Sequence, residues 1–125
     1  MKNTSLLFGS IQAALSVAIG AFGAHSLHDF LVANNRLDTF ETAAKYQMYG
    51  GLALILLGVW QNQMSNKILR RAGRMMIAGS IIFPLSLYLI CFTGISIFGA
   101  IAPIGGLSYI IGFSLMAYAA YQTMN

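Results

Sequence analysis

The sequence predicts an all-α integral membrane protein, a bundle of four transmembrane helices with a short amphipathic segment between the first and second. Three observations predict it. Residues 6–24, 75–92 and 104–121 each run about as long as a bilayer is thick and hold no Asp, Glu, Lys or Arg. A fourth run, 43–60, carries only Lys45, close to its edge. The whole chain of 125 residues is 58% hydrophobic and 8% charged, far below the roughly one-quarter charged content with which a soluble domain keeps its surface wet. In hydrocarbon every backbone N–H and C=O must be paired within the chain, which a helix does by itself.

The first run, with Lys2 before it and Gly20, Ala21, Gly23 and Ala24 at its end, also has the make-up of a secretory signal peptide; we read it as the first span. Residues 25–42 form the longest polar stretch. Phe30, Leu31, Leu37 and Phe40 recur among its polar residues, as in an amphipathic helix on the outer surface that leads into the second span, while Asn34 and Asn35 suggest a turn midway. Glu41 and Lys45, four apart, make a helix-supporting pair. Tyr46, Tyr49 and Trp60 bracket the second span and Tyr118 and Tyr121 close the fourth, as interfacial anchors do.

The two prolines read differently. Pro103 stands just before the fourth span, where its missing N–H costs nothing. Pro84 lies inside the third span, kinks it, and frees the carbonyl about four residues earlier, near Ser80. Small residues mark where helices meet, since lipid gives no hydrophobic reward for association and close backbone approach must supply the contact. Ala14 with Ala18, Gly20 with Ala24, Ser108 with Gly112, and Gly50 with Gly58 fall at helical spacing, and Gly23, Gly105 and Gly106 join this packing set. Four spans and three connections fill residues 1–125 as a single domain.

Orientation follows from charge. Lys2, Lys67, Arg70, Arg71 and Arg74 lie on one side; Arg36 and Lys45 on the other are diluted by Asp29, Asp38 and Glu41. The positive-inside rule therefore puts both termini in the cytoplasm of a plasma membrane. The net charge of +4 has this topological origin, and nucleic acid is not an expected partner. The bilayer is, together with a second copy or another membrane protein. Cys91, alone of its kind, forms no internal disulfide and reads as a small buried hydrophobe.

The stretches Gly20-Ala-Phe-Gly-Ala-His25, Ala44-Lys-Tyr-Gln47, Ser86-Leu-Tyr88 and Pro103-Ile-Gly-Gly106, followed by Gly112, occur in this order along nearly the whole chain. In them the sequence resembles the small membrane family catalogued as domain of unknown function 423, whose animal relatives are called transmembrane protein 256. The resemblance implies a four-span bacterial inner-membrane protein and brings no biochemical activity with it. Relatives commonly have a histidine where this chain has Gly50, a Ser-Gly pair in place of Pro84 and Leu85, and a tryptophan near Phe113. The missing second histidine weakens any scheme in which two imidazoles of the family meet.

Polar groups at membrane depth are costly and therefore mark candidate sites. His25, His28 and Asp29 share one face if the first helix continues, a spacing that suits metal binding or a tautomer-fixing pair and equally suits a helix C-cap. Gln47 and Tyr46 stand within reach of His25, so that a His25–Gln47 hydrogen bond with Tyr88 nearby would make a polar knot at the outer rim. Gln12, Ser16, Ser86 and Ser108 could form a second seam at mid-membrane, although serine often bonds its own helix. No catalytic residue is assigned, and no metal or cofactor motif occurs: there is no His-Glu-x-x-His, phosphate loop, nucleophile elbow or pair of intramembrane carboxylates. The reading is a membrane protein that acts by helix packing with itself or a partner. A small-solute or ion pathway, or a lipid- or quinone-binding site near His25, stands as the alternative.

Overall fold

The computed structural model describes residues 3–124, and among them every regular element is helical. The elements are α1 (Thr4–Ala24), α2 (His28–Ala33), α3 (Leu37–Gln63), α4 (Lys67–Thr93) and α5 (Ile97–Gln122). Three of them, α1, α4 and α5, are long and apolar enough to cross a membrane. With 27 residues, α3 extends about 40 Å but is more polar, holding Asp38, Glu41, Lys45 and Gln47.

Helix ends are set by local chemistry. The Asn3 side chain accepts from the Leu6 N–H at 3.0 Å, and its Nδ2 donates to the Gly58 carbonyl at 2.9 Å and to Asn62 Oδ1 at 2.8 Å, so one cap also ties the start of α1 to the end of α3. Asn66 caps α4 by accepting from Ile68 and Leu69. Gly94 closes α4 after Thr93, at a φ of 68° that favours glycine. The turn expected at Asn34 and Asn35 separates α2 from α3, with Asn35 at a φ of 54°.

α1 packs on α3, α3 on α4, and α4 on α5; α1 and α5 are not a packed pair. The buried face of α1 is Ser5, Gly9, Gln12, Ser16 and Gly23, all small or polar, whereas Leu7, Ile11, Leu15, Val17 and Phe22 point outward. That inversion suits a helix surrounded by lipid, whose close contacts need small side chains. Leu54, Leu57, Leu69, Ala72 and Met76 build one apolar core, with Tyr109 and Ala119 from α5. Leu31 of α2, Phe40 and Cys91 build a second. Cys91 is buried as expected, its Sγ 3.7 Å from the Arg36 carbonyl.

Several expectations need correcting. α5 begins at Ile97, so Pro103 lies inside it rather than ahead of it; the carbonyl it leaves free four residues earlier belongs to Gly99, which is exposed at the bundle end and can be solvated there. The polar stretch is divided at Asn34 and Asn35 between the six-residue α2, of which Leu31 is buried and Phe30 and Val32 are exposed, and the first turns of α3, where Phe40 is buried. Glu41 and Lys45 do not pair; among the described residues the one close contact between a carboxylate and a basic side chain is His28 Nδ1 with Asp29 Oδ1 at 3.6 Å. Lys2 lies outside the described residues.

Candidate functional site

At half height the three helices α1, α3 and α4 bring their polar residues together. Tyr88 OH donates to Gln47 Oε1 at 2.7 Å, Gln47 Nε2 donates to Gln12 Oε1 at 2.8 Å, and Gln12 Nε2 donates to the Ser80 carbonyl at 3.2 Å. Gln12 is 8% and Gln47 6% exposed. The last acceptor has a backbone origin. Pro84 is buried inside α4 and has no N–H to give to Ser80, four residues before it, so Gln12 supplies the donor that the helix lacks. Tyr88 follows Pro84 by one turn and returns the chain of bonds to α4.

The serines expected to form a seam, Ser16, Ser86 and Ser108, turn to their own helices instead. Ser16 donates to the Ala13 carbonyl, Ser86 to Ile82 and Ser108 to Ile104, and Ser80 likewise to Ile77, at 2.6 to 3.2 Å. Among the described residues, no fully buried side-chain nitrogen or oxygen lacks a partner. The knot is closed in that sense: each of its polar side-chain atoms meets at least one protein group in direct contact.

The His25 cluster does not join it. α1 stops at Ala24, and His25 caps it through its backbone N–H, which reaches the carbonyls of Ala21 and Phe22. This break removes the common face on which His25, His28 and Asp29 would have stood. All three are exposed, His28 Nδ1 lies 3.6 Å from Asp29 Oδ1, and no metal-holding group of three His, Cys, Asp or Glu side chains occurs among the described residues. The His25–Gln47 bond is absent because His25 stands exposed beyond the end of α1, whereas Gln47 is level with Gln12, about 20 Å back along that helix.

Tyr46 belongs to a different group. It packs against Tyr49, Phe83 and Tyr109 with ring centroids 5.1 to 6.3 Å apart, and Tyr109 OH donates to the Tyr46 carbonyl at 2.7 Å. These rings, with Gly106, Ile110 and Phe113, line a cavity of about 380 Å³. Tyr109 and Phe83 were not singled out from the sequence, where they look like two more apolar residues. Gly50 makes their arrangement possible, since a Cβ there would stand 2.5 Å from Tyr109 OH.

The other small residues divide into two sets. A Cβ on Gly58 would meet Asn3 Oδ1 and the Leu6 N at 2.7 Å, one on Gly112 would meet Met76 at 3.1 Å, and those on Gly23 and Gly105 would collide with Phe40 and Phe83. At Gly20 and Gly106 nothing comes closer than 3.7 Å, and Ala24 is exposed, so these three are not sites of close approach within the chain. Gly9 and Gly51, absent from the expected set, hold α1 against α3: a Cβ on Gly9 would stand 2.6 Å from the Gly51 carbonyl oxygen, and one on Gly51 would stand 2.8 Å from the Ala13 N.

Comparison with known proteins agrees with the membrane character of these helices. The chain is 38% identical over 117 residues to a UPF0382 membrane protein of Staphylococcus aureus, covering 94% of each. It is 37% identical over 118 residues to the UPF0382 membrane protein YwdK of Bacillus subtilis, covering 94% of this chain and 95% of that one. No solved structure matches it. Residues 19–106 match the family model described as Protein of unknown function (DUF423), and with these relatives spanning nearly its full length the chain belongs to that membrane-protein family.

Proposed function

We propose that the chain is a single-domain, non-enzymatic protein of the bacterial inner membrane that crosses the bilayer four times and acts by packing with itself or with another membrane protein. α3 is the fourth span. Its polarity supports this rather than opposing it, because Gln47, Gly50 and Gly51 face inward against neighbouring helices, where polar groups find partners instead of lipid. Lys67, Arg70, Arg71 and Arg74 in and after the α3–α4 connection put that end, and both termini, in the cytoplasm. α2 then lies on the outer surface, with Leu31 as its anchor.

The observation that carries this reading is the closed knot. A transport or catalytic site needs polar groups left free to meet a ligand around a cavity, whereas Gln12, Gln47, Tyr88 and the Ser80 carbonyl answer one another. They set helix register. The outward faces of α1 and α5 remain for lipid and for partners, with Leu7, Ile11, Ile104, Leu107 and Ile110 exposed. Native mass measurement of the protein in mild detergent is expected to find a dimer or a copurifying membrane protein; lone monomers throughout would overturn the packing reading.

The aromatic cavity favours a second reading, the binding of a lipid chain or quinone-like ring among Tyr46, Phe83 and Tyr109 rather than near His25. Its test is ligand carried through purification: loss of bound quinone or lipid in a Gly106→Phe variant supports it, and retention in that variant opposes it.

A further inference from the structure

We infer that the end of the bundle opposite His25 holds a binding site for a phosphoryl anion, the chemical group of an anionic phospholipid head. A cavity of about 380 Å³ opens there between the start of α1, the end of α3 and the start of α4. That volume falls within the range of small-ligand sites. Arg70 and Arg74 stand one helical turn apart on α4 and both line it, so two guanidinium groups, each able to present paired N–H donors to phosphate oxygens, border one space.

The rest of the lining has the same character. Thr4, Ser5, Ser65 and Asn66 contribute hydroxyl and amide groups. Asn66 uses its Oδ1 to cap α4, which leaves Nδ2 as a donor. No carboxylate among the described residues lines the cavity; the three acidic side chains, Asp29, Asp38 and Glu41, all belong to α2 or the start of α3 at the far end. Among the described residues neither arginine has an ion-pair partner. The N-terminal ends of both α1 and α4 add partial positive charge at this place. Gly73 lets the polar groups of Ser5 and Gln61 sit close against α4 in the cavity wall, since a Cβ there would come within 3.1 Å of Ser5 Oγ and 3.3 Å of Gln61 Nε2.

Positive-inside topology accounts for basic residues at this end but not for their sorting. Lys67 and Arg71 belong to the same helix and do not line the cavity. A site between helices near the membrane surface, donor-rich and with no acidic side chain among its described lining residues, fits the phosphate of a lipid head. The inference concerns this cavity alone and does not depend on what the outward faces of the bundle pack against.

Trp60 is a built-in probe, since it is the one tryptophan and its Nε1 donates to Met64 Sδ at 3.1 Å, with Met64 in the cavity wall. The full chain in neutral detergent is titrated with phosphatidylglycerol, with phosphatidylcholine and with inorganic phosphate while Trp60 fluorescence is followed. Saturable response to phosphatidylglycerol and not to phosphatidylcholine is expected. The R70Q/R74Q double variant is expected to weaken it by at least about tenfold, and the charge-matched K67Q/R71Q variant to preserve it. Saturation by inorganic phosphate at similar concentration would assign the site to a free anion, and response to the lipid alone would assign it to a head group. Equal responses of the unaltered chain to the two lipids, no saturable response to any probe, or equal losses in the two double variants would overturn the inference.

Discussion

The carbonyl of Ser80 is where backbone and side-chain chemistry meet. In an unbroken α4 it would accept from residue 84; with proline there, an unpaired carbonyl in a water-poor interior would cost about 1 to 3 kcal/mol. Gln12 of another helix removes that cost. The two positions are therefore coupled, and a double-mutant cycle is expected to reveal it. Q12A should destabilise the protein by about 1 to 3 kcal/mol and should cost less in a P84A background, where the restored backbone N–H can serve Ser80 from within the helix. Unfolding with increasing denaturing detergent measures both. Y88F, which removes one bond at the end of the chain, is expected to cost roughly 0.6 kcal/mol by the same assay. Half of this arrangement was legible from single residues: Pro84 announces a free carbonyl near Ser80, and Gln47 with Tyr88 announces a polar meeting. Which residue answers them was not, because Gln12 and His25 both come from the first span and only the helix rotation and its end at Ala24 decide between them.

Between α1 and α3 the contact is made by glycine rather than by large side chains. A Cβ on Gly9 would fall inside van der Waals distance of the Gly51 carbonyl oxygen, and one on Gly51 would do the same to that of Gly9. G9L is expected to force the two helices apart and lower stability by about 1 to 3 kcal/mol, whereas G20A, with only the Ala44 Cβ at 3.9 Å, should stay within about 0.5 kcal/mol of the unaltered protein. Thermal unfolding of the two variants side by side checks the contrast. Spacing alone picked out Gly20 with Ala24 and passed over Gly9. Spacing shows that two small residues share a face, but not which face turns toward a neighbour, and α1 turns the one bearing Gly9, Gln12 and Ser16. The apolar runs likewise marked the hydrophobic middles of the long helices and missed their ends: α5 starts seven residues before 104 because Ile97, Phe98 and Ile101 continue its apolar pattern through Pro103.

Across the whole molecule, polarity is sorted by direction more than by position along the chain. α1, α4 and α5 present apolar surfaces outward, and α3, packed between α1 and α4, holds the groups that lipid would reject. A hydropathy average cannot see this, since it counts Gln47 and the glycines beside it without knowing that they face inward; for that reason α3 falls short of the apolarity of the other three. If its polar groups are answered inside the bundle, α3 crosses the bilayer, and Asn35 before it and Ser65 after it lie on opposite sides of the membrane. Labelling of N35C and S65C in intact spheroplasts with a membrane-impermeant thiol reagent tests this most directly, Cys91 being buried. The account predicts that N35C is labelled from outside and S65C only after the membrane is opened; labelling of both from the same side would contradict it.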